Sequence, residues 1–327
     1  MATNRYKVMV PQNMGEAGLS LLRARDDLEL VSYANTADTA SIHGQLADTH
    51  AIALSVTPFR AADIAVASNL MVVARIGVGF DAVEIPPLSD RRIPLMTTGI
   101  ANSTSVAEQA VAFIFALSKF AKGYDAMVRE GRWLERHKSA LPMEITGKTV
   151  LVIGFGRIGT RSAKKLAALD LRVLVHDKYV SDDAIRAAGH EPVADIDAVL
   201  PHVDFVTIHC PKSPETIGMF NAARLARMKP SAYLVNTARG GIVDEKALYA
   251  ALTSGRLAGA GLDVFDMEPT PVNNELLTLD SVIASPHMAG VTAEAVAAMS
   301  VATARNMLSV LDGDIIRDNV VNKEVLG

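Results

Sequence analysis

Residues 149–177, TVLVIGFGRIGTRSAKKLAALDLRVLVHD, leave this chain few folds to choose from. An apolar run, TVLVI, meets Gly154-Phe155-Gly156-Arg157-Ile158-Gly159. A helix-compatible stretch follows with Leu166 and Leu169 on one face, and then a second apolar run ending at Asp177. In that order the parts read as strand, tight glycine turn, helix and parallel strand. Gly154 permits the turn, Gly156 lets a diphosphate approach the backbone, and Gly159 lets helix and strand pack closely. The N–H groups that open the helix, at Arg157 and Ile158, face the diphosphate. Asp177 falls roughly 20 residues beyond the glycines, where its carboxylate accepts bonds from ribose hydroxyls. A lone glycine motif is weak evidence; here every part agrees. The carboxylate of Asp177 repels a 2′-phosphate, so the cofactor expected is NAD rather than NADP. The adjacent His176 reads as a strand-end residue.

The rest of the chain repeats the same alternation. Strand candidates in the first third are YKVMV (6–10), LELVSY (28–33), AIALS (51–55), MVVAR (71–75) and IPLMT (93–97). Later ones are TVLVI (149–153), LRVLVH (171–176), DFVTI (204–208), AYLVN (232–236), GAGLDVF (259–265) and SVIAS (281–285). Several are continuously apolar, the mark of strands buried on both faces of a parallel sheet. Eleven strands divide naturally into five and six. Two helical stretches, 103–121 and 292–313, flank the second set and carry the chain between domains. The expected organisation is α/β: residues 1–101 and 293–327 form one domain, and 102–292 form a dinucleotide-binding domain inserted in it. Residues 122–147 are less apolar and carry mixed charge. They form an excursion that packs either on a second subunit or on their own domain.

Three polar residues stand at the ends of successive late strands: Arg239 after AYLVN, Glu268 after GAGLDVF and His287 after SVIAS. Doubly wound sheets bind ligands beyond the carboxyl ends of their strands. Singly, these would read as a surface ion-pairing arginine, a turn carboxylate and a core histidine. Together, beside a nicotinamide site, they read as a catalytic set. Composition narrows the partners. A net charge of −4 without a clustered Lys/Arg stripe argues against nucleic acid. The longest clean apolar run, Ala110–Leu117, is far short of the roughly 20 residues a membrane span needs. The N-terminus MATNRYKVMV has no apolar h-region, so no signal peptide is expected. The single cysteine, Cys210, excludes an internal disulfide and a cysteine-based metal site, and no metal is expected. A cytoplasmic protein with a small-molecule partner is the expectation.

These motifs are similar to those of the D-2-hydroxyacid dehydrogenases, over nearly the whole chain. The resemblance rests on ARIGVGFDAVE (74–84), STSVAEQAVAF (103–113), the GFGRIG loop and HCPKSPET (209–216). It continues through NTARGGIVDEKALYAAL (236–252), AGAGLDVFDMEP (258–269) and SPHMAGVTAEA (285–295). It implies two doubly wound parallel-sheet domains, a Rossmann NAD-binding domain inserted in a flavodoxin-like substrate domain, with the active site in the cleft between them and usually a homodimer. It implies further that His287 is the general acid/base and that Glu268 hydrogen-bonds its other ring nitrogen. Arg239 would hold the carboxylate and carbonyl oxygens of a small 2-oxo acid with its planar fork. Backbone N–H groups at Val78 and Gly79 would grip the same carboxylate, although a plain turn also explains the glycines there. Asp263 would bond the nicotinamide carboxamide, and Thr237 and Ala238 would line the ring. Thr104, His209, Pro211 and Gly290 would lie along the cofactor, and Cys210 is packing.

The choice of substrate is narrower. Formate dehydrogenases of this kind place glutamine beside the histidine, where this chain has Glu268. Phosphoglycerate dehydrogenases often carry arginines after the third strand; here Ser55-Val56-Thr57-Pro58 offers no cation before Arg60. No regulatory domain is expected after the last helix. Phosphoglycerate is weakened, while Arg60, Arg75 or a residue of the 122–147 excursion could still serve. Trp133 reads as an interface anchor rather than a substrate contact. Glyoxylate, hydroxypyruvate or a near relative is favoured. A different class, an NAD-sensing corepressor on the same fold, expects tails or a peptide groove on the first domain.

Overall fold

The computed structural model describes residues 6–35, 39–137 and 141–327. The chain divides into two compact units, Met1–Asn102 with Val291–Gly327, and Ser103–Gly290.

The first unit is built on β1 (Tyr6–Pro11), β2 (Leu28–Tyr33), β3 (Ala51–Leu54), β4 (Val72–Arg75) and β5 (Leu95–Met96). They lie in the order β2-β1-β3-β4-β5, every pairing parallel. This is the flavodoxin-like order. Side chains alternate across it as the strand period requires. Val8, Val10, Ala51 and Ala53 feed the core on one face, Met9, Ile52 and Leu54 the core on the other. The long helix Ala293–Leu311 returns to cover the first of these faces with Ala304, Met307, Val310 and Leu311. Its start is set by Thr292, whose hydroxyl accepts from the Ala295 N–H, a cap worth about 1 kcal/mol.

The second unit has seven strands: β6 (Thr149–Ile153), β7 (Arg172–His176), β8 (Glu191–Pro192), β9 (Phe205–Ile208), β10 (Tyr233–Asn236), β11 (Gly259–Leu262) and β12 (Val282–Ala284). Their order is β12-β11-β10-β9-β6-β7-β8, again all parallel. Counted from β6, this is the Rossmann order 3-2-1-4-5-6 with one strand added. Alternation again supplies two cores: Leu151, Ile153 and Leu234 on one side, Val150, Val152 and Val235 on the other. Each fully buried aliphatic side chain of this kind contributes roughly 1.5–3 kcal/mol relative to exposure.

Two sequence expectations need correction. Among the described residues the strands number twelve, because β8 escapes pattern reading: it is two residues long, contains Pro192 and sits at the sheet edge, where proline is tolerated. The helix expected over 103–121 ends at Ser118. Phe120 adopts a left-handed φ of 52° and starts a separate helix, Ala121–Arg129, followed by a 3-10 turn at Trp133–His137. Residues 138–140 of the expected excursion lie outside the described residues. No helix among the described residues is long and apolar enough to cross a membrane.

Candidate active site

The glycine loop joins β6 to the helix Arg157–Ala167. Gly154 has a φ of 90°, and a Cβ there would lie 2.7 Å from the Cys210 nitrogen. A Cβ on Gly159 would fall 1.8 Å from the Gly154 carbonyl oxygen, so helix and turn meet at a distance only glycine allows. At Gly156, by contrast, a Cβ would meet open space. Gly156 is also the helix N-cap and brings no side chain to the first-turn N–H groups, which include those of Arg157 and Ile158. Donors without internal partners beside open space suit an anion.

Asp177 follows β7 and anchors the loop. Its Oδ2 accepts from the Phe155 N–H at 2.7 Å, and its Oδ1 from the N–H groups of Tyr179 (2.7 Å) and Val180 (3.0 Å). Burial pushes this carboxyl up, but the three N–H bonds outweigh it and hold the group below the usual aspartate range. A carboxylate has about four acceptor positions, so one remains for a sugar hydroxyl.

The polar residues at the later strand ends are brought together within the second unit. Nδ1 of His287 lies 2.6 Å from Oε2 of Glu268, and Oε1 of Glu268 accepts from the Phe265 N–H at 3.0 Å. The pair is reachable: the His287 side chain is 47% exposed and that of Glu268 37%. The hydrogen bond to Glu268 raises the His287 pKa, against opposing burial and the nearby Arg239 charge. For Glu268, burial raises the pKa, but the bonds from His287 and Phe265 together with the cations lower it overall. The pair therefore favours carboxylate with imidazolium. His287 sits at a φ of 54°, left-handed for a residue with a Cβ, which costs of order 1–3 kcal/mol. Its surroundings must hold it there.

Arg239 follows β10, with Nη1 donating to the Ala238 carbonyl at 2.7 Å. The turn is shaped by Asn236, which is buried. Its side chain donates to the Arg239 carbonyl (2.9 Å) and accepts from the Ala238 N–H (3.0 Å). Sequence reasoning did not single out Asn236 or Ser285; a polar residue closing an apolar strand was the available signal. Thr237 is buried, and its Oγ1 has no hydrogen-bond partner among the described residues. His209 bonds Thr207 Oγ1 through Nε2 at 3.0 Å, and burial pushes its pKa down to about 3, so it stays neutral. Burial pushes the Cys210 thiol up to about 11, which suits packing. Thr104 and Pro211 are exposed, and Gly290 closes the unit. Asp263 is turned to the loop around His287: its carboxylate accepts from Ser285, Met288 and Ala289. Val78 and Gly79 lie in the first unit, in the turn after β4, where Arg75 Nε donates to the Gly79 carbonyl at 2.9 Å.

Residues 111–289 match the family model for the NAD-binding domain of D-isomer specific 2-hydroxyacid dehydrogenases. Over 326 residues the chain is 36% identical to a glyoxylate reductase of Thermofilum pendens, covering 98% of this chain and 96% of that one. The chain belongs to the D-isomer specific 2-hydroxyacid dehydrogenases. A D-3-phosphoglycerate dehydrogenase of Archaeoglobus fulgidus is 35% identical over 316 residues, covering 97% of this dehydrogenase and 59% of the relative. The chain thus spans little more than half of that longer protein. Among solved structures, the D-lactate dehydrogenase of Aquifex aeolicus in complex with NAD and lactic acid superposes with a TM-score of 0.85 at 28% identity, covering 96% of this chain and 99% of that one. The cofactor of this dehydrogenase is NAD. The open space at Gly156, the uncapped helix start, the remaining acceptor position of Asp177 and the orphaned Thr237 hydroxyl all fit it.

The direction of the histidine shift makes a pH prediction. Were His287 the acid–base group, reduction of a 2-oxo acid would need imidazolium and its raised pKa would extend reduction to higher pH, while oxidation would need neutral imidazole and be delayed to higher pH. In Glu268→Gln the alkaline limb of kcat/KM for reduction is expected to move toward lower pH, and the rising limb of oxidation to move the same way. Unmoved limbs in both directions would show that Glu268 does not set this titration.

Proposed function

We propose that this dehydrogenase interconverts a short D-2-hydroxy acid and its 2-oxo acid, with His287 as general acid–base. The observation that carries the reading is the 2.6 Å bond between His287 Nδ1 and Glu268 Oε2 beyond the carboxyl ends of β11 and β12. Nδ1 faces the carboxylate, which leaves Nε2 for substrate. In reduction Nε2–H gives its proton to the carbonyl oxygen; in oxidation neutral Nε2 takes the hydroxyl proton. NAD, when bound, accepts or supplies the hydride. Arg239 fixes the carboxylate and the reacting oxygen with parallel N–H donors, and its charge stabilises the developing alkoxide.

The chemistry at the strand ends of the first unit supports a small, unphosphorylated acid. Asn13 and Ser55, after β1 and β3, approach to 3.5 Å, and both are uncharged. Arg75, the cation nearest in sequence to the Val78–Gly79 turn, spends its Nε on the Gly79 carbonyl. Glyoxylate or hydroxypyruvate fits this better than a phosphorylated acid, in keeping with the similarity to a glyoxylate reductase along its full length. The test is steady-state reduction of glyoxylate, hydroxypyruvate, pyruvate and 3-phosphohydroxypyruvate with NADH and with NADPH. The expected order puts an unphosphorylated acid with NADH first. A higher kcat/KM for the phosphorylated acid would overturn the substrate assignment, and no turnover of any acid would overturn the activity.

The same reading makes the enzyme a homodimer. The helix Ala121–Arg129 buries none of its residues, and Tyr124, Met127, Val128 and Trp133 border a hollow of about 350 Å³ suited to a second copy. A monomeric mass by light scattering would count against it.

A further inference from the structure

We propose that Asp263 is the positioning residue for His287, holding residues 285–289 from both the carboxylate and the backbone. The proposal rests on the acid–base reading of His287. Asp263 follows β11 and is 1% exposed. Its Oδ1 accepts from the Ser285 hydroxyl and from the Met288 N–H at 2.8 Å, its Oδ2 from the Ala289 N–H at 3.0 Å. Its carbonyl accepts from the His287 N–H at 2.8 Å, and its own N–H donates to the Asn236 carbonyl at 3.0 Å. One buried residue therefore binds the segment before His287, the segment after it and His287 itself, and ties all three to the end of β10. This is the support that a left-handed histidine requires, since four hydrogen bonds to one buried residue hold a five-residue stretch.

The geometry also explains why a carboxylate stands there. Three donors point at the two oxygens, and each oxygen must accept. An asparagine of nearly the same volume would turn its NH2 toward the Ala289 N–H or, flipped, toward Ser285 and Met288. Either way at least one anchor is lost and a donor faces a donor. The charge of Asp263 acts in addition, facing the imidazole together with Glu268 and Arg239. Ser285→Ala separates the two effects: it removes an anchor and leaves the charge.

The experiment measures NADH affinity by fluorescence titration, thermal melting, kcat at saturating NADH, and the pH dependence of kcat/KM for wild type, Asp263→Asn, Ser285→Ala and His287→Ala. For Asp263→Asn we expect a cooperative melt, NADH affinity within about twofold, and kcat lower by roughly 10- to 100-fold, the scale on which misplacement of a proton donor is felt. The alkaline limb of reduction should move to lower pH as the bond to Glu268 loosens, which a purely structural role would not produce. Ser285→Ala should shift both in the same direction by less. Wild-type kcat and pH profile in Asp263→Asn, with only NADH affinity reduced, would assign the residue to the cofactor and overturn the proposal. Should Asp263→Asn fail to fold, an unchanged kcat and pH profile in Ser285→Ala overturns it equally. Near-normal turnover in His287→Ala would instead remove the acid–base reading on which the proposal stands.

Discussion

Replacing His287 with alanine is expected to lower turnover of the 2-oxo acid by about 10²- to 10⁴-fold while leaving NADH affinity close to that of wild type. The side chain is about half exposed, so its loss opens no internal cavity and the melting temperature should change little. On the proposed mechanism, what disappears is the proton donor. The remaining groups cannot replace it. Glu268 is held below the usual glutamate range in the native pair, and without His287 it keeps the Phe265 N–H bond that favours the carboxylate. Water remains as a donor, and residual activity should depend on pH as a solvent-limited reaction does, without the limb that His287 contributes. Alanine at φ 54° retains the backbone penalty, so relief of strain does not confuse the result. Near-normal turnover in this variant would sink the proposed mechanism.

Why so much of this was legible in the sequence is a matter of burial. Strands enclosed on both faces need apolar residues at nearly every position, so β6 could be read residue for residue from TVLVI. The two-residue β8 buries no side chain fully and left no such trace. The end of the helix at Ser118 was hidden because the apolar pattern continues through Phe120, and only the backbone of Phe120 turns left-handed. For the candidate site, polar residues at strand ends point to Arg239, Glu268 and His287. The hydrogen bonds of Asp263 to residues 285–289 could not be read that way. Bonds that a side chain accepts from backbone N–H groups of another loop leave no residue-type signature at the donating positions, since every residue but proline carries the donor.

Gly240→Ala is the substitution expected to do most harm without touching a reactive group. A Cβ there would fall 1.8 Å from the Phe265 carbonyl oxygen, 2.1 Å from its carbon and 2.7 Å from the Asp266 nitrogen. All three are backbone atoms, so no side chain can swing aside. The loop carrying Arg239 and the loop leading to Glu268 would have to separate by more than about 1 Å to restore ordinary contact. These loops are otherwise tied together by the Gly241 N–H, which donates to Asp266 Oδ1 at 2.6 Å, and by the Asp266 N–H, which donates to Glu245 Oε1 at 2.6 Å. Prising them apart strains both bonds and moves the Arg239 guanidinium relative to the His287–Glu268 pair. Overpacking of this kind costs roughly 1–3 kcal/mol of stability. Misplacing a substrate-fixing group by about 1 Å can cost on the order of 100-fold in rate. The expected result is a folded enzyme with a lowered melting temperature, a kcat/KM for the 2-oxo acid reduced about 100-fold, and NADH affinity changed far less. The glycine turn at Gly154–Gly159 follows β6 and is not part of this contact. Wild-type kinetics in Gly240→Ala would mean that the loops yield without consequence. The close approach at Gly240 would then have no part in bringing Arg239 to the pair.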